Sequence, residues 1–74
     1  MKVLAESNWD YILEEDHEYN LYFEVVCGTV AIYTIKFILN DIEREIWYKE
    51  GTTGLRHLAY DVRDYPDRYL CRKM

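Results

Sequence analysis

The sequence predicts an α+β fold, a three-stranded antiparallel β-meander followed by two short α-helices packed on the sheet. Three features carry this reading. Aromatic and branched residues alternate with period two in the stretch up to Leu39, a helix-capping signal stands at Asn40, and an apolar stripe of helical spacing follows Gly51. Half of the 74 residues are apolar and only three are Gly and one Pro, which excludes a disordered, collagenous or linker-like chain. The length fits one small α+β domain over residues 1–74, whose thin core makes a second source of stability worth seeking.

The first strand is expected from Asn8 to Glu14, where Trp9, Tyr11 and Leu13 alternate with Asp10, Ile12 and Glu14. The polar run Glu15-Asp16-His17-Glu18 ends it, and Tyr19 to Cys27 resumes as the second strand. Gly28-Thr29 then suits a type II′ hairpin turn leading into a third strand, Val30 to Leu39. Asn40 and Glu43 form a capping-box pair for a helix over 41–50, with Ile42 and Ile46 on one face, an acid-first Glu45–Lys49 pair and Gly51 at the end. The rival for this segment is a fourth strand, since Ile42, Ile46 and Tyr48 also alternate with charged residues. Thr52 or Thr53 can cap the next helix, where Leu55, Leu58, Ala59 and Val62 make one apolar face. Pro66 ends that helix near Tyr65 and can open one more turn through Tyr69.

A two-residue turn at Gly28-Thr29 divides the second and third strands into two faces. One holds Leu21, Phe23, Val25, Cys27, Ile32 and Ile38; the other holds Tyr22, Val26, Tyr33, Ile35, Phe37 and Leu39. Both are apolar, yet a layer of two short helices covers only one unless the helices straddle the sheet. The second face therefore predicts a partner or homodimer interface built on Tyr22, Tyr33, Ile35 and Phe37. Eight Tyr strengthen the expectation, because Tyr joins an apolar ring to a polar tip.

The net charge of −5 is uneven. Residues 1–24 carry seven acids against Lys2, while residues 51–74 carry five bases against three acids. Glu14, Glu15, Asp16 and Glu18 form an acidic surface suited to a basic protein partner, and neutralising three of them to Asn or Gln is expected to leave the fold intact or slightly firmer. Duplex binding is disfavoured for want of a cationic stripe. Single-stranded nucleic acid has the aromatic half of its usual platform in Tyr22, Tyr33 and Phe37, but the sheet half of the chain is acidic.

Chemistry-bearing motifs are missing: no phosphate-binding glycine loop, dinucleotide fingerprint, zinc-protease helix or nucleophile elbow occurs. Asp16-His17-Glu18 points its ligands apart as adjacent turn residues, so neither a metal nor a cofactor is expected. Cys27 and Cys71 have no metal or disulfide spacing, and Cys27 beside Val25-Val26 reads as an inert buried thiol rather than the partner of His57 in a nucleophilic set. With one lysine and a short apolar patch before Glu6, the start does not read as a signal peptide, and no run is long enough to span a bilayer, which together point to a cytoplasmic protein without a membrane partner. The functional expectation is a noncatalytic protein-protein interaction module of the small acidic inhibitor, immunity or regulatory kind. It binds a basic partner as a homodimer; the alternatives are a single-stranded nucleic-acid binder and a small enzyme assembled across a dimer interface.

Overall fold

The computed structural model describes residues 1–28 and 32–72, and within them the fold is α+β with four strands rather than three. The strands β1 (Lys2–Ser7), β2 (Tyr11–Glu15), β3 (Leu21–Cys27) and β4 (Tyr33–Ile38) form an antiparallel meander in chain order. Helices α1 (Asp41–Glu50), α2 (Thr52–Asp64) and α3 (Asp67–Leu70) follow. The strand missed by the sequence reading is β1. It lies at the sheet edge, is interrupted by a bulge between Val3 and Ala5, and sends only Leu4 and Ala5 toward the core, so it lacks the alternation that marks a half-buried strand. The first expected strand begins at Tyr11 instead of Asn8, because Asn8, Trp9 and Asp10 form the β1–β2 connection.

The β3–β4 register corrects the expected sheet faces. Cys27 pairs with Tyr33, Val25 with Ile35 and Phe23 with Phe37, which excludes a two-residue turn at Gly28-Thr29. Thr29, Val30 and Ala31, on which that turn and the start of the third strand were placed, lie outside the described residues. Five residues separate the paired Cys27 and Tyr33. An odd number reverses the parity obtained from a two-residue turn and carries every later side chain to the opposite face. Leu21, Phe23, Val25 and Cys27 thus share a face with Ile35, Phe37 and Leu39, and both apolar sets belong to one core.

The helices cover that face. Leu55, Ala59 and Val62 of α2 and Tyr69 of α3 join Tyr11 and Leu13 of β2 and the β3–β4 residues in one buried cluster, with Trp47 and Leu58 at its margin. An aromatic row crosses it: Tyr11 lies 5.5 Å from Phe23, Phe23 meets Phe37 edge-on at 6.0 Å, and Phe37 lies 5.0 Å from Tyr69.

Helix α1 begins as its sequence dictates. The Asn40 side chain accepts from the Glu43 amide and the Glu43 carboxylate accepts from the Asn40 amide, both at 2.9 Å. Its inward face differs from expectation, since Ile42 is 71% exposed while Glu43, Ile46 and Trp47 turn inward. The buried Glu43 is matched by Arg72, whose guanidinium reaches both carboxylate oxygens at 2.7 and 3.1 Å, donates to the Ile38 carbonyl at 2.8 Å and stacks on Phe37. Helix α2 starts directly from Gly51 with no side-chain cap, so neither Thr52 nor Thr53 plays the expected role. Gly51 has φ +61°, a left-handed conformation that lets α1 end and α2 begin without a linker.

Candidate functional site

The sheet face turned away from the helices follows from the strand register as rows of side chains. One row holds Val3, Glu14, Tyr22 and Ile38; the next holds Glu6, Ile12, Glu24 and Lys36; Val26 and Thr34 lie beyond. This surface is mixed and acidic, with three carboxylates against one ammonium. Lys36 reaches diagonally to Glu14 at 3.4 Å, with its Nζ 5.8 Å from the centre of the Tyr22 ring. Glu6 and Glu24, on either side of Ile12, form no ion pair among the described residues.

One end of this face runs into a cleft between the β1–β2 connection, the end of β3 and helix α2. The cleft holds about 660 Å³, with Trp9, Ile32 and Tyr60 among its walls. These three side chains are 75%, 69% and 52% exposed. Its floor is tied down by Arg63, which donates through Nε to the Val26 carbonyl at 2.9 Å, through Nη2 to the Asp10 carbonyl at 3.0 Å, and forms an ion pair with the Asp10 carboxylate. The Val26 amide also donates to the Asp10 carbonyl at 2.9 Å, so the base of the turn is held from two directions.

Trp9 stands on the tip of that turn. The Asp10 amide donates to the Ser7 carbonyl at 3.0 Å and Trp9 has φ +60°, a hydrogen-bonded turn whose third position, at positive φ, favours Gly or Asn. A bulky residue in this left-handed region costs about 1–3 kcal/mol, and here the cost carries a side chain that is largely in solvent. A second crevice, of about 80 Å³, also has Trp9 in its lining and includes Glu6, Ile12 and Glu24 in its walls. Trp9, Asp10 and Val26 thus belong to the linings of both the larger, mostly apolar cleft and the small one that includes Glu6 and Glu24.

The residues expected to form one interface are dispersed. Ile35 and Phe37 are 0% exposed in the helix-covered core, Tyr22 points to the open face, and Tyr33 lies at the end of β4 on the covered side, 43% exposed. A patch made of all four does not exist, because the five-residue separation reverses the parity from which it was inferred. The same correction removes the stacking platform proposed for single-stranded nucleic acid: of Tyr22, Tyr33 and Phe37, only Tyr22 lies on the open face.

The expected acidic surface is also divided. Glu14 belongs to the open face and is paired with Lys36; Glu15, next along β2, has the opposite parity; and Glu18 is exposed in the β2–β3 connection. Asp16 is the organiser of that connection. Its Oδ1 accepts from the Glu18 and Asn20 amides, each at 2.9 Å, and its Oδ2 accepts from the Tyr22 hydroxyl at 2.8 Å and the Asn20 side-chain amide at 3.2 Å. The Tyr22 hydroxyl does most to hold the Asp16 carboxyl down at about 2, and Asp16 in turn pushes the Tyr22 hydroxyl up. Neutralising Asp16 would therefore loosen the turn, contrary to the sequence-based expectation.

Cys27 is buried on the covered face, and burial pushes its thiol up despite an opposing influence from Arg63. Among the described residues no cluster of three His, Cys, Asp or Glu side chains is arranged to hold a metal ion, and no helix is long and apolar enough to cross a membrane. No protein-family model, curated protein or solved structure matches the chain.

Proposed function

We propose that this protein is a noncatalytic binding module whose uncovered sheet face docks a basic protein. The reading is carried by one observation: in the row Glu6–Ile12–Glu24–Lys36 two carboxylates flank an aliphatic side chain and form no ion pair among the described residues, Lys36 being paired with Glu14 instead. Mixed surfaces of this kind suit recognition, since apolar atoms supply burial while carboxylates select and steer a cationic partner. The partner surface is thus moved from the acidic turn to the sheet. Glu14 contributes to it as part of the Glu14–Lys36 pair, while Asp16 is committed to its own turn. A homodimer through Tyr22, Tyr33, Ile35 and Phe37 is not part of this reading, because two of the four residues already fill the core of one chain.

Affinity capture from a cell extract tests it, using the full chain and a Glu6→Gln/Glu14→Gln/Glu24→Gln variant at about 0.05 and 0.3 M salt, which spans the range where the screening length falls below about 10 Å. A basic protein held at low salt, released at high salt and lost with the variant is the expected result. Capture unchanged by the variant, or recovery of nucleic acid, overturns the reading.

A further inference from the structure

We infer that Trp9 is the centre of a two-part docking site that receives a large apolar side chain next to an arginine in the bound segment of the partner. The inference rests on the basic-partner reading above and specifies what that partner presents. The geometry supplies two compartments whose linings share Trp9, Asp10 and Val26. On one side, Trp9, Ile32 and Tyr60 surround the cleft of about 660 Å³, which is wide enough for a Leu- or Phe-sized side chain. On the other, the crevice of about 80 Å³ includes Glu6 and Glu24 with Trp9 in its lining. Its size and charge suit one cationic head group. A guanidinium is the better match than an ammonium, because it can stack on the indole while its planar fork donates to carboxylates.

Charge complementarity fixes the class of occupant. An uncharged apolar peptide satisfies only the larger compartment and offers no cation to Glu6 and Glu24, which form no ion pair among the described residues. A polybasic peptide without an apolar residue leaves Trp9, Ile32 and Tyr60 in water. Arg63 binds both the Asp10 turn and the end of β3, so the floor of the cleft is held in place before a ligand arrives. The exposed Trp9, at a turn position that favours glycine, makes a clean variant available: Trp9→Gly removes the proposed anchor and relieves the left-handed backbone together.

The test is an NMR titration of the 74-residue chain with the peptide acetyl-GRLRG-amide and two controls, acetyl-GRGRG-amide and acetyl-GQLQG-amide. Saturable shifts are expected at the Trp9 indole, Ile32, Glu6 and Glu24, with binding weaker by about tenfold or more for either control and for the Trp9→Gly variant. Thermal melting of Trp9→Gly is expected at or above the wild-type temperature, so that lost binding is not lost folding. Shifts on the sheet face with a silent Trp9, or equal binding by Trp9→Gly, overturn this inference and leave the basic-partner reading standing. Equal binding of acetyl-GQLQG-amide overturns the arginine assignment, and a lowered melting temperature of Trp9→Gly makes the indole a packing residue and overturns it as well. Absence of any shift with both arginine peptides overturns the docking site, while the basic-partner reading stands or falls by the capture experiment.

Discussion

At the scale of single residues, the most informative side chain is Asp16, which reads in the sequence as one of four surplus acids and in the structure closes a loop through four hydrogen bonds. Its folded value of about 2 lies below that of a free carboxylate, so folding favours the ionised form. The stability it contributes is complete above about pH 4 and is lost as pH falls toward 2. Thermal melts between about pH 6 and pH 2 are expected to show a shallower acid-induced loss for Asp16→Asn than for the wild type. Tyr22→Phe, which removes the largest cause of the shift, is expected to move the acid-sensitive range of Asp16 upward toward the ordinary carboxylate value. Identical profiles for all three proteins would show that the turn does not depend on the ionised carboxylate. The signal for this role was present as Asp followed four residues later by Asn and six later by Tyr. It could not be distinguished from a solvated acidic run until the backbone brought the three together.

At the scale of elements, two contacts decide how the helical layer sits. Gly54 faces Ile46 across the α1–α2 contact, and a Cβ built there would stand 2.5 Å from the Ile46 Cγ2 and 3.1 Å from its carbonyl oxygen. Gly54→Ala gains helix propensity of about 1 kcal/mol but meets a β-branched side chain and the backbone behind it, so a net loss of about 1–2 kcal/mol is expected in urea unfolding. Adding Ile46→Ala is expected to weaken the penalty of Gly54→Ala, a coupling that a double-mutant cycle measures. Arg72 performs the second task, pinning the chain beyond α3 to the start of α1 through Glu43 and to edge strand β4 through the Ile38 carbonyl. Arg72→Ala leaves the Glu43 carboxylate without its cation and is expected to cost about 1.5–3 kcal/mol, with Arg72→Lys recovering little because an ammonium cannot reproduce the bidentate fork. Equilibrium unfolding of both variants checks this. The capping box was legible from Asn40 and Glu43 because it is local, whereas the Glu43–Arg72 pair spans 29 residues and had no sequence signature.

At the scale of the whole molecule, the sheet packs one apolar face against the helices and leaves a mixed face bearing Glu6, Glu14 and Glu24 uncovered, and its two edges are protected differently. A bulge interrupts β1, and Arg72 occupies a carbonyl of β4. The core cost is concentrated at the α2 stripe: Leu55→Ala is expected to lose about 2–5 kcal/mol in thermal or chemical unfolding, and Leu58→Ala less, since Leu55 is fully buried and Leu58 lies only partly so at the margin. The sequence by itself determined the α+β class, strands β2 to β4 in outline and the apolar stripe of α2, and it favoured a capped α1 over the rival fourth strand. Each depends on contacts between residues a few positions apart, where periodicity and capping chemistry act directly. Tertiary structure alone decided β1, whose weak pattern becomes a strand only by pairing with β2, and the parity between β3 and β4. That parity turned two expected apolar faces into one core, dispersed the Tyr22–Tyr33–Ile35–Phe37 patch and left an acidic sheet face ending at Trp9. The physical reason is that a strand's side chains alternate with period two, so the number of residues in one connection selects the face of every residue that follows, and no local preference within the strand reveals it.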